Sequence, residues 1–157
     1  MAEDLHPANQ AAIAALRQNH IGRLLLNAQR NYSLQALRKL RERGYVGLGP
    51  EHTNLIAQLD LHGTRITTLA ERVAVTKQAI GKVVGELEAK GYVRREVDPD
   101  DRRAAVISFT AEGWRFLQDA HEVKQEIEAE YTAVLGAQGM LELRRLLAQL
   151  VRGAVDV

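Results

Sequence analysis

The sequence predicts a mainly α-helical protein interrupted once by a small β-hairpin. Three observations carry that expectation. Apolar residues recur at three- and four-residue spacing over most of the chain. Between Gly91 and Thr110 that spacing gives way to short β-branched runs. Glycine, proline and threonine stand where one pattern stops and the next begins.

The elements follow in order. From Asn9 to Arg43 there is no proline and a single glycine, and Ile13, Leu16, Leu24, Leu34, Leu37 and Leu40 form a helical stripe. "RKLRER" then places cations at the helix C-terminus, where they offset the negative end of the macrodipole, and "GYVGLGP" stops it. Pro50 opens a short second helix, "PEHTNLIAQLDLHG", which the spacing carries to Gly63. "TRITTLAERVAV" sets Ile66, Leu69, Ala70 and Val73 at helical spacing. After a tight turn, "TKQAIGKVVGELEAKG" does the same with Ile80, Val83, Val84 and Leu87, with Thr76 as N-cap and Gly91 just past the end. "YVRREV" and "RAAVISF", joined by the proline-containing "DPDD", read as a two-stranded hairpin. Thr110 caps a long helical tract to Leu135, and beyond "GAQG" the leucines of "MLELRRLLAQLVRG" suit a last helix. The parts are thus an N-terminal helical region over 1–49, a central unit over 50–110 and a C-terminal helical region over 111–157.

Composition limits the functions available. At 157 residues and 46% hydrophobic, the chain is long enough for one folded domain, and a helical protein of this size often completes its core by dimerising. The absence of cysteine rules out disulfides, thiol-based oxidation sensing and cysteine-containing zinc sites. Early acids, no basic leader and no long apolar run predict a soluble protein of the cytoplasm with no membrane contact. The net charge is only +1, but it is unevenly spread. Residues 1–50 carry seven Lys/Arg against three acids, and 64–110 carry nine against seven; 111–157 carry five against eight. This permits a basic face without demanding one.

Helix, three-residue turn, helix and hairpin in succession is the order of a winged helix-turn-helix. A helix laid in a major groove needs a second helix across it, and a hairpin beside it reaches the adjacent minor groove. On the helix opened by Thr76, the face opposite Ile80, Val84 and Leu87 carries Thr76, Lys77, Gln78, Gly81 and Lys82. Gln78 has the donor and acceptor to read adenine, and either lysine suits guanine or phosphate. Gly81 and Gly85 remove bulk where a backbone must approach closely. The plainer reading of the lysines is a solvated helix face; their position between a turn and a hairpin favours nucleic acid.

Over Leu69 to Gly113, "LAERVAVTKQAIGKVVGELEAKGYVRREVDPDDRRAAVISFTAEG" resembles the winged-helix core of the MarR family of bacterial transcription regulators, with Phe109 where the family pattern has leucine. The resemblance implies a homodimer, held by its N- and C-terminal helices and bound to double-stranded DNA at a pseudo-palindromic operator, usually as a repressor. It also implies a small-molecule effector pocket between those helices and the winged helix. Carried across position by position, Thr76, Lys77, Gln78 and Lys82 match the groove-facing residues and Arg102 the wing-tip arginine. Arg103 stands beside it both as a DNA-facing cation and as a brace for the wing. Arg94 and Arg95 fall on the first wing strand, within reach of phosphate. Asp98 is expected to brace the wing by pairing with Arg102 or Arg103.

Other chemistries fit less well. "DPDDRR" gathers carboxylates, but a calcium loop counted from Asp98 needs glycine sixth and glutamate twelfth, and meets Arg103 and Phe109. His6, His20, His52, His62 and His121 are scattered without an i,i+4 pair, which favours structural or surface roles over a metal site. Trp114, Phe116 and Tyr131 suit packing against a partner subunit better than lining a ligand pocket. No catalytic triad order, phosphate loop or close carboxylate pair stands out, so neither an enzyme nor a bound cofactor is expected. The alternative from another class is a winged helix used only for protein contacts, its leucine-rich ends docking a different chain.

Overall fold

A computed structural model describes residues 20–98 and 101–153, together with Ile13. His6, Asn9, Leu16, Pro99 and Asp100, which enter the expectations above, lie outside them. The elements are α1 (Ile21–Glu42), α2 (Pro50–Gln58), β1 (Thr64–Arg65), α3 (Ile66–Val73), α4 (Lys77–Ala89), β2 (Val93–Val97), β3 (Ala105–Phe109) and α5 (Ala111–Gly153). The part of α1 up to Gln35 belongs to one compact unit, and the chain from Ala36 onward to another.

The predicted first helix is interrupted at His20, which is not helical. Its Nδ1 accepts the Gly22 N–H at 3.1 Å, so an imidazole caps α1 where the sequence suggested continuity. Among the described residues of the predicted stripe only Leu40 is buried, while Ile13, Leu24 and Leu34 are exposed. The second helix also ends sooner than expected, at Gln58 rather than Gly63. The Leu59 N–H turns back to the Ile56 carbonyl, and the Thr64 hydroxyl occupies the Asp60 N–H at 2.8 Å.

α3 and α4 form the helix pair, and the turn between them is built from Ala74. This residue adopts φ 53°, ψ 42°, and the Val75 N–H returns to the Ala70 carbonyl. Such a left-handed terminus usually falls to glycine, because a Cβ crowds the following carbonyl. Thr76 caps α4 as predicted, its hydroxyl accepting the Ala79 N–H at 3.2 Å. At the other end Gly91, φ 79°, lets the Tyr92 N–H reach the Leu87 carbonyl. Ile80, Val84 and Leu87 are 2%, 0% and 0% exposed and belong, with Leu55, Ile56 and Leu69, to the buried core.

The expected two-stranded hairpin is a three-stranded antiparallel sheet of order β1-β3-β2. β2 and β3 pair from Val93 opposite Phe109 to Val97 opposite Ala105, and β1 adds Thr64 opposite Ile107 and Arg65 opposite Val106. Thr110 caps α5, accepting the Gly113 N–H at 3.0 Å. Gly113 is required here, since a Cβ would lie 2.0 Å from the Tyr92 carbonyl oxygen. Phe116 faces inward rather than toward a partner: it is 1% exposed and meets Tyr45 edge-on at 5.1 Å and Tyr92 at 5.3 Å. The Tyr45 hydroxyl donates to Asp119, and burial, then that carboxylate, push its ionisation well above the usual phenol range. Trp114 is 43% exposed, its ring tilted at 56° to that of Phe109 with 5.6 Å between centroids. α5 breaks within the predicted "GAQG", at Gly136, whose φ 73° and ψ 160° no helix contains.

Candidate nucleic-acid interface

The site grows from two local features. The capped N-terminus of α4 leaves Thr76, Lys77, Gln78 and Lys82 exposed, with Gly81 half-buried among them. A Cβ at Gly81 or Gly85 would meet nothing within 4 Å, so packing within the chain does not require glycine at either place. Across a cleft of about 460 Å³ stands the root of the wing, and the walls bring Lys77, Arg95 and Arg103 together with Arg65, Thr67 and Asp101. Among the described residues, no ion pair or hydrogen bond holds the side chains of Lys77, Gln78, Arg102 or Arg103.

Strand alternation separates the other two arginines. Arg95 turns toward α4 and lies 3.4 Å from Glu88. Arg94 projects from the opposite face, away from the cleft, with its Nε 3.1 Å from Glu96. The Ser108 hydroxyl donates to the same Glu96 at 2.8 Å and, ahead of Arg94, holds that carboxyl below its usual range. Lys82 stands apart from the cleft, 3.9 Å from Glu86 one turn on.

Asp98 is paired at the wing, but with a different partner from the one expected. It is 4% exposed, and its Oδ2 accepts the Nε–H of Arg65 at 2.6 Å while its Oδ1 accepts the Asp101 N–H at 3.2 Å. Neither Arg102 nor Arg103 reaches it. The carboxylate points inward to β1, so the wing-tip arginines remain outside. Arg65 and Thr67 were missed in the sequence, where they read only as the start of a helix. The single available signal was a cation directly before the helix pair.

Among the described residues no helix is long and apolar enough to cross a membrane. Among the described residues one group of potential metal ligands is brought together, Glu51, His52 and Glu86, which no spacing in the sequence anticipated.

A family model, described as the MarR family, matches residues 46–104. The chain is similar to the transcriptional regulator HosA of Escherichia coli O111:H-, 31% identical over 103 residues that span 66% of this chain and 73% of HosA. It is also similar to the HTH-type transcriptional repressor MdtR of Bacillus subtilis, 28% identical over 69% of this chain and 70% of that one. Its fold matches a variant of Escherichia coli MarR solved with operator DNA, at TM-score 0.70 and 20% identity over 86% and 96% of the two chains. These relatives are regulators rather than enzymes, and the helix pair, the capped α4, β1 and β2 fall within residues 46–104, with β3 directly after them. The chain belongs to the MarR family of DNA-binding transcriptional regulators.

Proposed function

We propose that the protein is a homodimeric, sequence-specific repressor that lays α4 of each subunit in a major groove of a pseudo-palindromic operator, with the wing over the flanking backbone. The observation that carries this reading is the cleft between the N-terminus of α4 and the wing. Lys77 and Arg103 face it with no anionic partner among the described residues, while Gln78 is exposed next to Lys77. Cations without internal partners are what phosphate recognition uses, and an exposed Gln near a helix N-terminus suits base reading. Operator binding by the MarR variant and the repressor role of MdtR support it by kinship.

The dimer is supported by apolar side chains left in solvent. In α1 they are Ile21, Leu24, Leu25, Leu26 and Leu34; beyond Gly136 in α5 they include Leu141, Leu146 and Leu150. Exposed apolar stretches of this length are typical of subunit interfaces. Two α4 helices related by a twofold axis would stand about 34 to 36 Å apart, one turn of DNA. Such a protein works in the cytoplasm.

The test is selection of a duplex from a random pool, followed by mobility shifts over a range of salt. Lys77→Ala and Lys82→Ala should each weaken binding and lower the salt slope by about one. Gly81→Ala should weaken it too, since the added methyl meets nothing in the free chain and only DNA can object. If both lysine variants bind the selected duplex as wild type does, the groove assignment is wrong. Control by a small-molecule effector is the remaining part of this reading, tested by screening compounds for release of the bound duplex.

A further inference from the structure

Glu86 lies one turn beyond Lys82 on α4, and its two carboxylate oxygens do different things. Oε1 stands 3.9 Å from Lys82 Nζ, and Oε2 stands 2.8 Å from Nε2 of His52 on α2. His52 is 4% exposed, and its other nitrogen, Nδ1, accepts the Gly49 N–H at 2.9 Å. Only a lone pair accepts an N–H, so Nδ1 carries no hydrogen. With Nδ1 accepting, Nε2 bears the ring hydrogen and donates to Glu86. Glu51 Oε1 remains 3.4 Å from Nδ1 on the outer side. Both ring nitrogens are engaged, so hydrogen bonding accounts for this cluster without a metal ion.

A continuous chain thus runs from the backbone at the start of α2, through a buried imidazole and a carboxylate, to a cation on the exposed side of α4. We infer that His52 and Glu86 are positioning residues for DNA reading. His52 sets α4 against α2 through Glu86, and Glu86 restrains Lys82 while keeping a fixed negative charge beside the DNA-facing cations. That charge opposes phosphate wherever the protein lands, so it lowers affinity for any sequence, whereas the fixed helix preserves contacts made only at the right one. The inference rests on the DNA reading proposed above.

Three variants test it on two probes, the duplex selected by wild type and a scrambled version of it, alongside hydrogen exchange of α4 amides in the free protein. In His52→Gln the amide oxygen replaces Nδ1 as acceptor and the NH2 replaces Nε2–H as donor, so binding should stay within about twofold of wild type on both duplexes. His52→Ala cuts both links. It should lose about tenfold or more on the selected duplex, change less than about twofold on the scrambled one, and exchange faster along α4. Glu86→Gln still accepts from His52 but has no charge, so it should bind the scrambled duplex at least about threefold tighter and discriminate less. A gain in binding cannot come from damaged folding, which keeps the test decisive even if His52→Ala is poorly folded. Equal losses by His52→Ala on both probes, failure of His52→Gln to rescue, or unchanged scrambled binding by Glu86→Gln each overturn the inference. If wild type selects no duplex, the proposed function falls instead, and exchange in the free protein still decides whether His52 holds α4.

Discussion

Removing the Asp98 carboxylate should cost the folded state about 2 kcal/mol, and the loss should be coupled to Arg65 rather than to Arg102 or Arg103. The magnitude comes from the surroundings of the pair. Asp98 is 4% exposed, and the hydrogen bonds it accepts include one from a guanidinium at 2.6 Å and one from the Asp101 N–H at 3.2 Å. Breaking a fully buried ion pair costs about 3 to 5 kcal/mol, and a hydrogen bond to a charged group is worth about 1.5 to 3. The Arg65 side chain is 47% exposed, so water screens the pair, which brings the figure toward the lower range. In a chain of this length about 2 kcal/mol lowers the midpoint of thermal unfolding by roughly 4 to 8 °C. The assay is urea denaturation of Asp98→Ala, Arg65→Ala and the double variant, at one protomer concentration because a dimer's stability depends on it. The Asp98–Arg65 cycle should show about 1 to 2 kcal/mol of coupling, and cycles with Arg102 or Arg103 less than about 0.5. Coupling to Arg102 or Arg103 as large as that to Arg65 would refute this account of the wing.

Two further outcomes follow from local geometry. Ala74→Gly should stabilise the protein by up to about 1 kcal/mol, measured in the same denaturation assay, because glycine relieves the left-handed strain at φ 53° and gives back part of the gain as chain entropy. Stability should also fall in acid through Glu126. Hydrogen bonds from Lys39 first, at 3.0 Å, and then Arg43, at 2.6 Å, hold its carboxyl below the usual range. A depressed carboxyl contributes fully above its unfolded value of about 4.3 and loses that contribution as pH falls through the folded one. Denaturation midpoints from pH 7 downward should therefore drop more steeply below about pH 4.3 for wild type than for Glu126→Gln, and high salt should narrow the difference.

The helix pair was legible because its signals are local. Thr76 reaches an amide three residues away, Gly91 takes a conformation that glycine adopts freely, and Ile80, Val84 and Leu87 repeat at the helical period. The wing's two main strands were legible for the same reason. β1 was not: two residues are too few to show a period, and Thr64 and Arg65 become a strand only because β3 lies beside them. The early end of α2 was hidden likewise, since it depends on the Thr64 hydroxyl four residues beyond Asp60.

By itself, then, the sequence determined the helix pair and the wing's two main strands, where α4 begins, and which of its faces stays outside, because caps and periodicity act over a few residues. Only the tertiary structure decided which charges meet. Asp98 finds Arg65 thirty-three positions back, and Glu86 finds His52 thirty-four back. Such partners are chosen by packing among many acids and bases of equal chemistry, and spacing along the chain holds no record of that choice. The Arg65–Asp98 pair leaves Arg102 and Arg103 without internal partners among the described residues, and the cleft sets Arg103 opposite Lys77.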